Sequence, residues 1–151
     1  MDINQLIARE EIRDVIHSYC RAIDDKDWET VRGTFSENAV ISHGPFKGSV
    51  DEFMGFVIDV LGAMLVINHS VGSVIVKVDG DRAEMHSAFT AFHTISGEIE
   101  ELVTIKTYGK DVDWLVGGKY IDQLEKISGK WKIVERKASN DWSRIIEAKP
   151  T

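Results

Sequence analysis

The hydrophobic period changes once along this chain, near Gly62, and that change limits the folds open to it. Before it, Ile12, Val15, Ile16, Tyr19, Cys20 and Ile23 recur at spacings of three and four, the stripe of an amphipathic helix. The stripe stops at Asp24-Asp25-Lys26. Asp27 then stands where an N-cap would open a second, short helix through Trp28, Val31 and Phe35. Ala39-Val40-Ile41 reads as a short strand closed by Gly44-Pro45. Ser49 or Asp51 starts a third helix, with Phe53, Phe56, Val57, Val60 and Leu61 on its buried face. After Gly62 the period is two. Val71 to Val78, Ala83 to Ile95, Trp114 to Ile127 and Trp131 to Trp142 read as strands, joined by turn signals at Asp79-Gly80, Ser96-Gly97 and Ser128-Gly129-Lys130. A strand over Leu102 to Tyr108 followed by a loop accounts for the remainder. Helices followed by hairpin-linked strands predict an α+β fold, three N-terminal helices on one face of a curled antiparallel sheet, in a single domain over 1–151.

Composition narrows the partners. The 151 residues carry a formal charge of −7, which disfavours nucleic acid and anionic membranes because nothing offsets phosphate repulsion. The single cysteine, Cys20, excludes an intramolecular disulfide framework and a Cys-rich metal site. The five histidines are not paired at i,i+4 on one helix, and no dinucleotide, phosphate-loop or nucleophile-elbow motif occurs, so neither a metal nor a cofactor is expected. The stretch Phe56 to Ile67 is too short to span a bilayer and contains Asp59. The opening Met1-Asp2-Ile3-Asn4 does not read as a secretory signal, so the expectation is a soluble cytoplasmic protein. Val and Ile on the outer sheet face predict a homodimer or homotrimer.

Polar side chains in apolar places are the informative ones. Asp24 follows Cys20 by four residues; both a carboxylate continuing the buried stripe and a frayed helix end fit that spacing. Tyr19 lies on the same stripe, where a core aromatic is the ordinary reading. In the strand Ala83 to Ile95 the odd positions are apolar, which turns His93 inward and His86 outward. In the next long strand the apolar parity carries Tyr120 and Asp122, and an inward Asp122 needs a partner such as Arg136 or Arg144. The even parity of Val74, Val76 and Val78 turns His69 outward, unless a bulge at Gly72 resets it.

Three stretches taken together resemble the SnoaL-like family. They are Ile12 to Trp28, with its Asp24-Asp25-Lys26-Asp27-Trp28 similar to the matching part of scytalone dehydratase; Asn68-His69-Ser70-Val71-Gly72 with Val78 to Ala83; and Gly118 to Asp122 with Gly129 to Ile133 and Asn140-Asp141-Trp142. The resemblance implies the cone-shaped nuclear-transport-factor-two-like fold. In eliminating members a helix-end Asp orients a strand His that removes a substrate proton; the matching positions are Asp24 and His69. Tyr19 and His93 match assisting residues, and His43 falls where scytalone dehydratase has a tyrosine. What the resemblance implies is a cofactor-independent lyase, dehydratase-like, on a small, mostly apolar, aromatic or alicyclic substrate. His43, Tyr120, Asp122 and Phe53 are the residues expected to line its site. An isomerase or polyketide cyclase with the same pair, and a non-enzymatic binding module, remain alternatives.

Overall fold

A computed structural model describes residues 1–147; the last four residues of the expected single unit, 148–151, lie outside the described residues. The fold is α+β, three helices against a curved sheet of six strands. The order along the chain is α1 (Ile3–Asp24), α2 (Trp28–Gly33), β1 (Phe35–His43), β2 (Phe46–Ser49), α3 (Val50–Leu61), β3 (Val66–Asp79), β4 (Arg82–Ile95), β5 (Glu101–Leu102), β6 (Ile105–Lys106), β7 (Val112–Ile127) and β8 (Lys130–Glu147). The ends form for local reasons. Asp2 and Gln5 make a reciprocal capping box on α1, Asp27 accepts the Thr30 N–H to open α2, and Ser49 accepts the Glu52 N–H to open α3.

The large sheet runs β2-β1-β8-β7-β4-β3, with β5 and β6 pairing apart as a small hairpin in the region expected to hold one strand. The sheet is antiparallel except at one place: β1 lies parallel to β8. Chain order shows hairpins between successive strands but not this pairing, because β8 reaches β1 only after the whole sheet has curled back. Phe35, expected to end α2, instead opens β1. Phe56, expected on the buried face of α3, is 46% exposed and stacks on Phe46; Met54 takes the inner position. The core lies between the helices and the inner sheet face, with Ile12, Ile16 and Ile23 of α1 and Phe53 and Val57 of α3 packed on Met85, Phe89, Leu124 and Ile133.

Surplus residues in β3 and β8 decide which side chains face that core. Between Gly72 and Ile75 the β3–β4 register slips, so Ser73 (φ +51°) and Val74 together oppose Ser87. Above the bulge the inward set is Ile67, His69 and Val71; below it, Val74, Val76 and Val78. The bulge anticipated at Gly72 is therefore present, and His69 faces inward. On β8, Val134 is surplus opposite Gln123 and Leu124, so inward parity passes from Trp131 and Ile133 to Arg136. A glycine is required at 118, where a Cβ would stand 1.8 Å from the Ser139 carbonyl oxygen and 3.0 Å from the Phe89 ring.

Candidate active site

The C-terminus of α1 and the upper half of β3 bring Asp24 and His69 together. The Asp24 carboxylate accepts the His69 backbone N–H through both oxygens, at 2.9 and 3.0 Å, and the His69 Nδ1–H at 2.8 Å. The imidazole is 7% exposed and the carboxylate 14%. Because an ionised carboxylate only accepts, this contact places a proton on Nδ1, and in the neutral form of the ring the Nε2 lone pair is free. Asp24 thus continues the buried stripe instead of fraying.

Aromatic rings extend from this pair through the interior. His93 lies edge-on to His69 with ring centroids 5.8 Å apart, and Phe89 is 6.5 Å from it. Phe89 stacks on Tyr120 at 4.4 Å, and His43 meets Phe89 and Tyr120 edge-on. Tyr19 packs edge-on to Tyr120 and Phe35. Phe53 contacts the rings of Phe35 and Phe46. Two open clefts of about 320 and 350 Å³ lie along α1, but neither is lined by Asp24 or His69.

The protonation states follow from burial. The His93 Nδ1–H donates to the Trp114 carbonyl at 3.0 Å, and burial pushes its pKa down to about 4, an effect that hydrogen bond partly opposes. The His43 Nε2–H donates to Asn140 Oδ1 at 2.9 Å, and burial lowers its pKa too. Burial raises the Tyr19 hydroxyl to about 12 despite the nearby Arg136, and raises Tyr120 well above its ordinary value. The Cys20 thiol is also pushed up to about 12 by burial, so it is no thiolate nucleophile at neutral pH. Among the described residues, no three His, Cys, Asp or Glu side chains are grouped as a metal would require. No helix among the described residues is long and apolar enough to cross a membrane.

Asp122, inward as its parity predicts, holds Arg136 in a two-pronged ion pair: Nε to Oδ1 at 2.8 Å and Nη2 to Oδ2 at 2.9 Å, both side chains at most 1% exposed. The guanidinium lies 4.2 Å from the Tyr19 ring centroid and 4.1 Å from that of Tyr120. Burial works against its charge, but Asp122 outweighs that and holds it protonated. Its Nη1 is buried without a hydrogen-bond partner. Sequence reasoning names Arg136 only as one of two partners for Asp122. The surplus Val134 hides its inward parity.

The model of the SnoaL-like domain matches residues 4–137. The chain belongs to the SnoaL-like family. No curated protein matches this SnoaL-like chain significantly in sequence. Solved structures share its fold along most of its length. A candidate scytalone dehydratase from Novosphingobium aromaticivorans has a TM-score of 0.79 at 18% identity, covering 100% of this chain and 95% of its own. The type 2 hexachlorocyclohexane dehydrochlorinase LinA has a TM-score of 0.79 at 16% identity, covering 99% of this chain and 98% of its own. A protein from Kribbella flavida has a TM-score of 0.75 at 20% identity, covering 90% and 92%. At these identities the likeness is one of fold.

A consequence for acid stability follows from His93. Its folded-state pKa lies below the ordinary 6.5, so the unfolded chain binds the extra proton first. Its contribution is fully present above about pH 6.5 and is lost as pH falls toward 4. The loss is roughly 3 kcal/mol across that window. Urea unfolding at pH 7 and pH 4.5 is expected to show a steeper acid loss for the wild type than for His93→Leu. Parallel pH dependences would refute the assignment.

Proposed function

We propose that this protein is a cofactor-independent lyase that eliminates water or halide from a small, mostly apolar, aromatic or alicyclic compound. The observation that carries the reading is the Asp24–His69 contact, a tautomer-fixed imidazole held inside a ring-lined interior. In the proposed step, His69 Nε2 takes a proton from the carbon next to the leaving group. The C–H electron pair forms the new double bond as the C–X bond breaks. The imidazolium is stabilised by Asp24 and returns its proton to a departing hydroxide as water, or to solvent when a halide leaves. No cofactor is needed where a carbonyl or a good leaving group already makes that proton acidic.

The neighbouring groups divide the remaining work by their protonation. Tyr19 stays protonated at neutral pH and is a donor. His93 is neutral with Nδ1–H committed, so it anchors substrate as an acceptor and is no proton source. Arg136, with its unpartnered Nη1, offers a buried donor for a developing oxyanion or halide. His43, Tyr120, Phe53 and Asp122 form or brace the surrounding walls. Two structural relatives that bear the names of elimination enzymes, scytalone dehydratase and hexachlorocyclohexane dehydrochlorinase, support this reading.

The test is product analysis by mass spectrometry on a panel that includes scytalone and hexachlorocyclohexane isomers. Products lighter by water or hydrogen chloride are expected. Mass-neutral conversion across the panel would instead mean an isomerase or cyclase using the same pair. Unconverted binding would mean a ligand-binding module.

The outer sheet face supports a homodimer or homotrimer. Val66, Ile75, Ile121, Trp142 and Ile146 stand on it between 37% and 60% exposed. Light scattering at micromolar concentration is expected to give the mass of two or three chains; the mass of one would refute it.

A further inference from the structure

Lys26 occupies a position that favours another residue. It lies two residues beyond Asp24 in the link between α1 and α2, with φ +55°. Its N–H donates to the Ile23 carbonyl at 3.1 Å, while the Asp27 N–H donates to the Ala22 carbonyl at 2.9 Å. This is the paired closure by which a helix ends on a left-handed residue, and glycine usually takes that place because it has no Cβ to crowd the following carbonyl. Here a long cationic side chain takes it.

The side chain makes contacts that glycine could not. Lys26 Nζ donates to the Gly62 carbonyl at 3.0 Å and to the Met64 carbonyl at 2.7 Å. Gly62 is the C-cap of α3, whose own last turn carries no basic residue, so the ammonium also meets the negative end of that helix. Met64 lies two residues before β3, and the next residue, Leu65, donates its N–H to the Thr94 carbonyl at 2.8 Å. One ammonium therefore ties the end of the Asp24-bearing helix to the lead-in of the His69-bearing strand. These segments are 45 residues apart in the chain, yet Asp24 must reach both the backbone N–H and the ring Nδ1–H of His69. Such hydrogen bonds tolerate only a few tenths of an ångström of displacement.

We propose that Lys26 is a positioning residue that holds Asp24 in register with His69 by clamping the α3–β3 connection to the end of α1. The proposal rests on reading Asp24 and His69 as the working pair, but its test needs no substrate. A histidine Nδ1–H bonded to a carboxylate resonates downfield of the amide protons, and the His69 signal is assigned by its absence in His69→Asn. In Lys26→Met this signal is expected to move upfield and exchange with water roughly tenfold faster, as the loss of two charge-assisted hydrogen bonds implies. Lys26→Gly is expected to show the same change while melting close to the wild type, because it relieves the left-handed backbone. Lys26→Arg, which keeps a cationic donor, is expected to retain the wild-type signal.

A wild-type signal in folded Lys26→Met and Lys26→Gly would overturn the proposal. So would a change in Lys26→Met alone, which would trace the effect to the backbone. A signal absent from the wild type itself would remove the proposal and the elimination reading together. A Lys26-dependent signal without any elimination product in the screen would leave Lys26 in its role and refute only the lyase.

Discussion

His69→Ala is expected to lower the rate of elimination by about 10²- to 10⁴-fold, the usual worth of a positioned general base. Asp24→Asn is expected to approach the same loss by a different route. The asparagine amide can donate to Nδ1, which drives the proton onto Nε2 and leaves no lone pair facing the substrate. It also removes the charge that stabilises the imidazolium. Asn is the better variant because it keeps an acceptor for the His69 backbone N–H, which Ala would orphan. Both proteins should stay folded, with the effect in kcat more than in KM, since the lost interaction belongs to the transition state. Turnover within about threefold of wild type in both would refute the role of the pair.

The largest effect on stability is expected at Asp122. Asp122→Ala leaves the Arg136 guanidinium charged in a site where it is 1% exposed. Breaking a buried pair from one side costs about 3–5 kcal/mol, a fall in Tm of roughly 6–20 °C for a chain of this size. Replacing both partners, as Asp122→Leu with Arg136→Met, should recover most of that loss, because no uncompensated charge remains buried. The double variant also separates two roles of Arg136. If its free Nη1 serves a departing group, the double variant will be stable and slow. Stability and turnover recovering together would make the ion pair purely structural. Urea unfolding and a turnover assay on the same preparations read both quantities.

The inward turn of His93, Tyr120 and Asp122 is legible from alternation because β4 has no register break along its length and the β7 stretch that carries Tyr120 and Asp122 is in phase with it. Asp27 and Ser49 are legible as caps because a cap acts within three residues. His69 and Arg136 are different. Each lies beyond a surplus residue, Ser73 or Val134, and alternation carries no phase across a bulge. The family resemblance supplied His69 where parity pointed the wrong way. Lys26 is a long-range contact, visible only once the connection after α3 is seen beside it. Phe56 stands outside the core although it lies on the apolar stripe of α3, because helical spacing defines a stripe but not which of its edges faces inward.

Through its bulge, β3 becomes two ribbons of opposite phase in one hydrogen-bonded length. Substitutions below Gly72 alter how Val74, Val76 and Val78 fill the interior without rotating the ring at 69, and substitutions above it leave that filling alone. The side chain at position 69 can therefore be exchanged without re-phasing the scaffold beneath. A frame divided in this way lends itself to descendants with unlike chemistries, and to some with none.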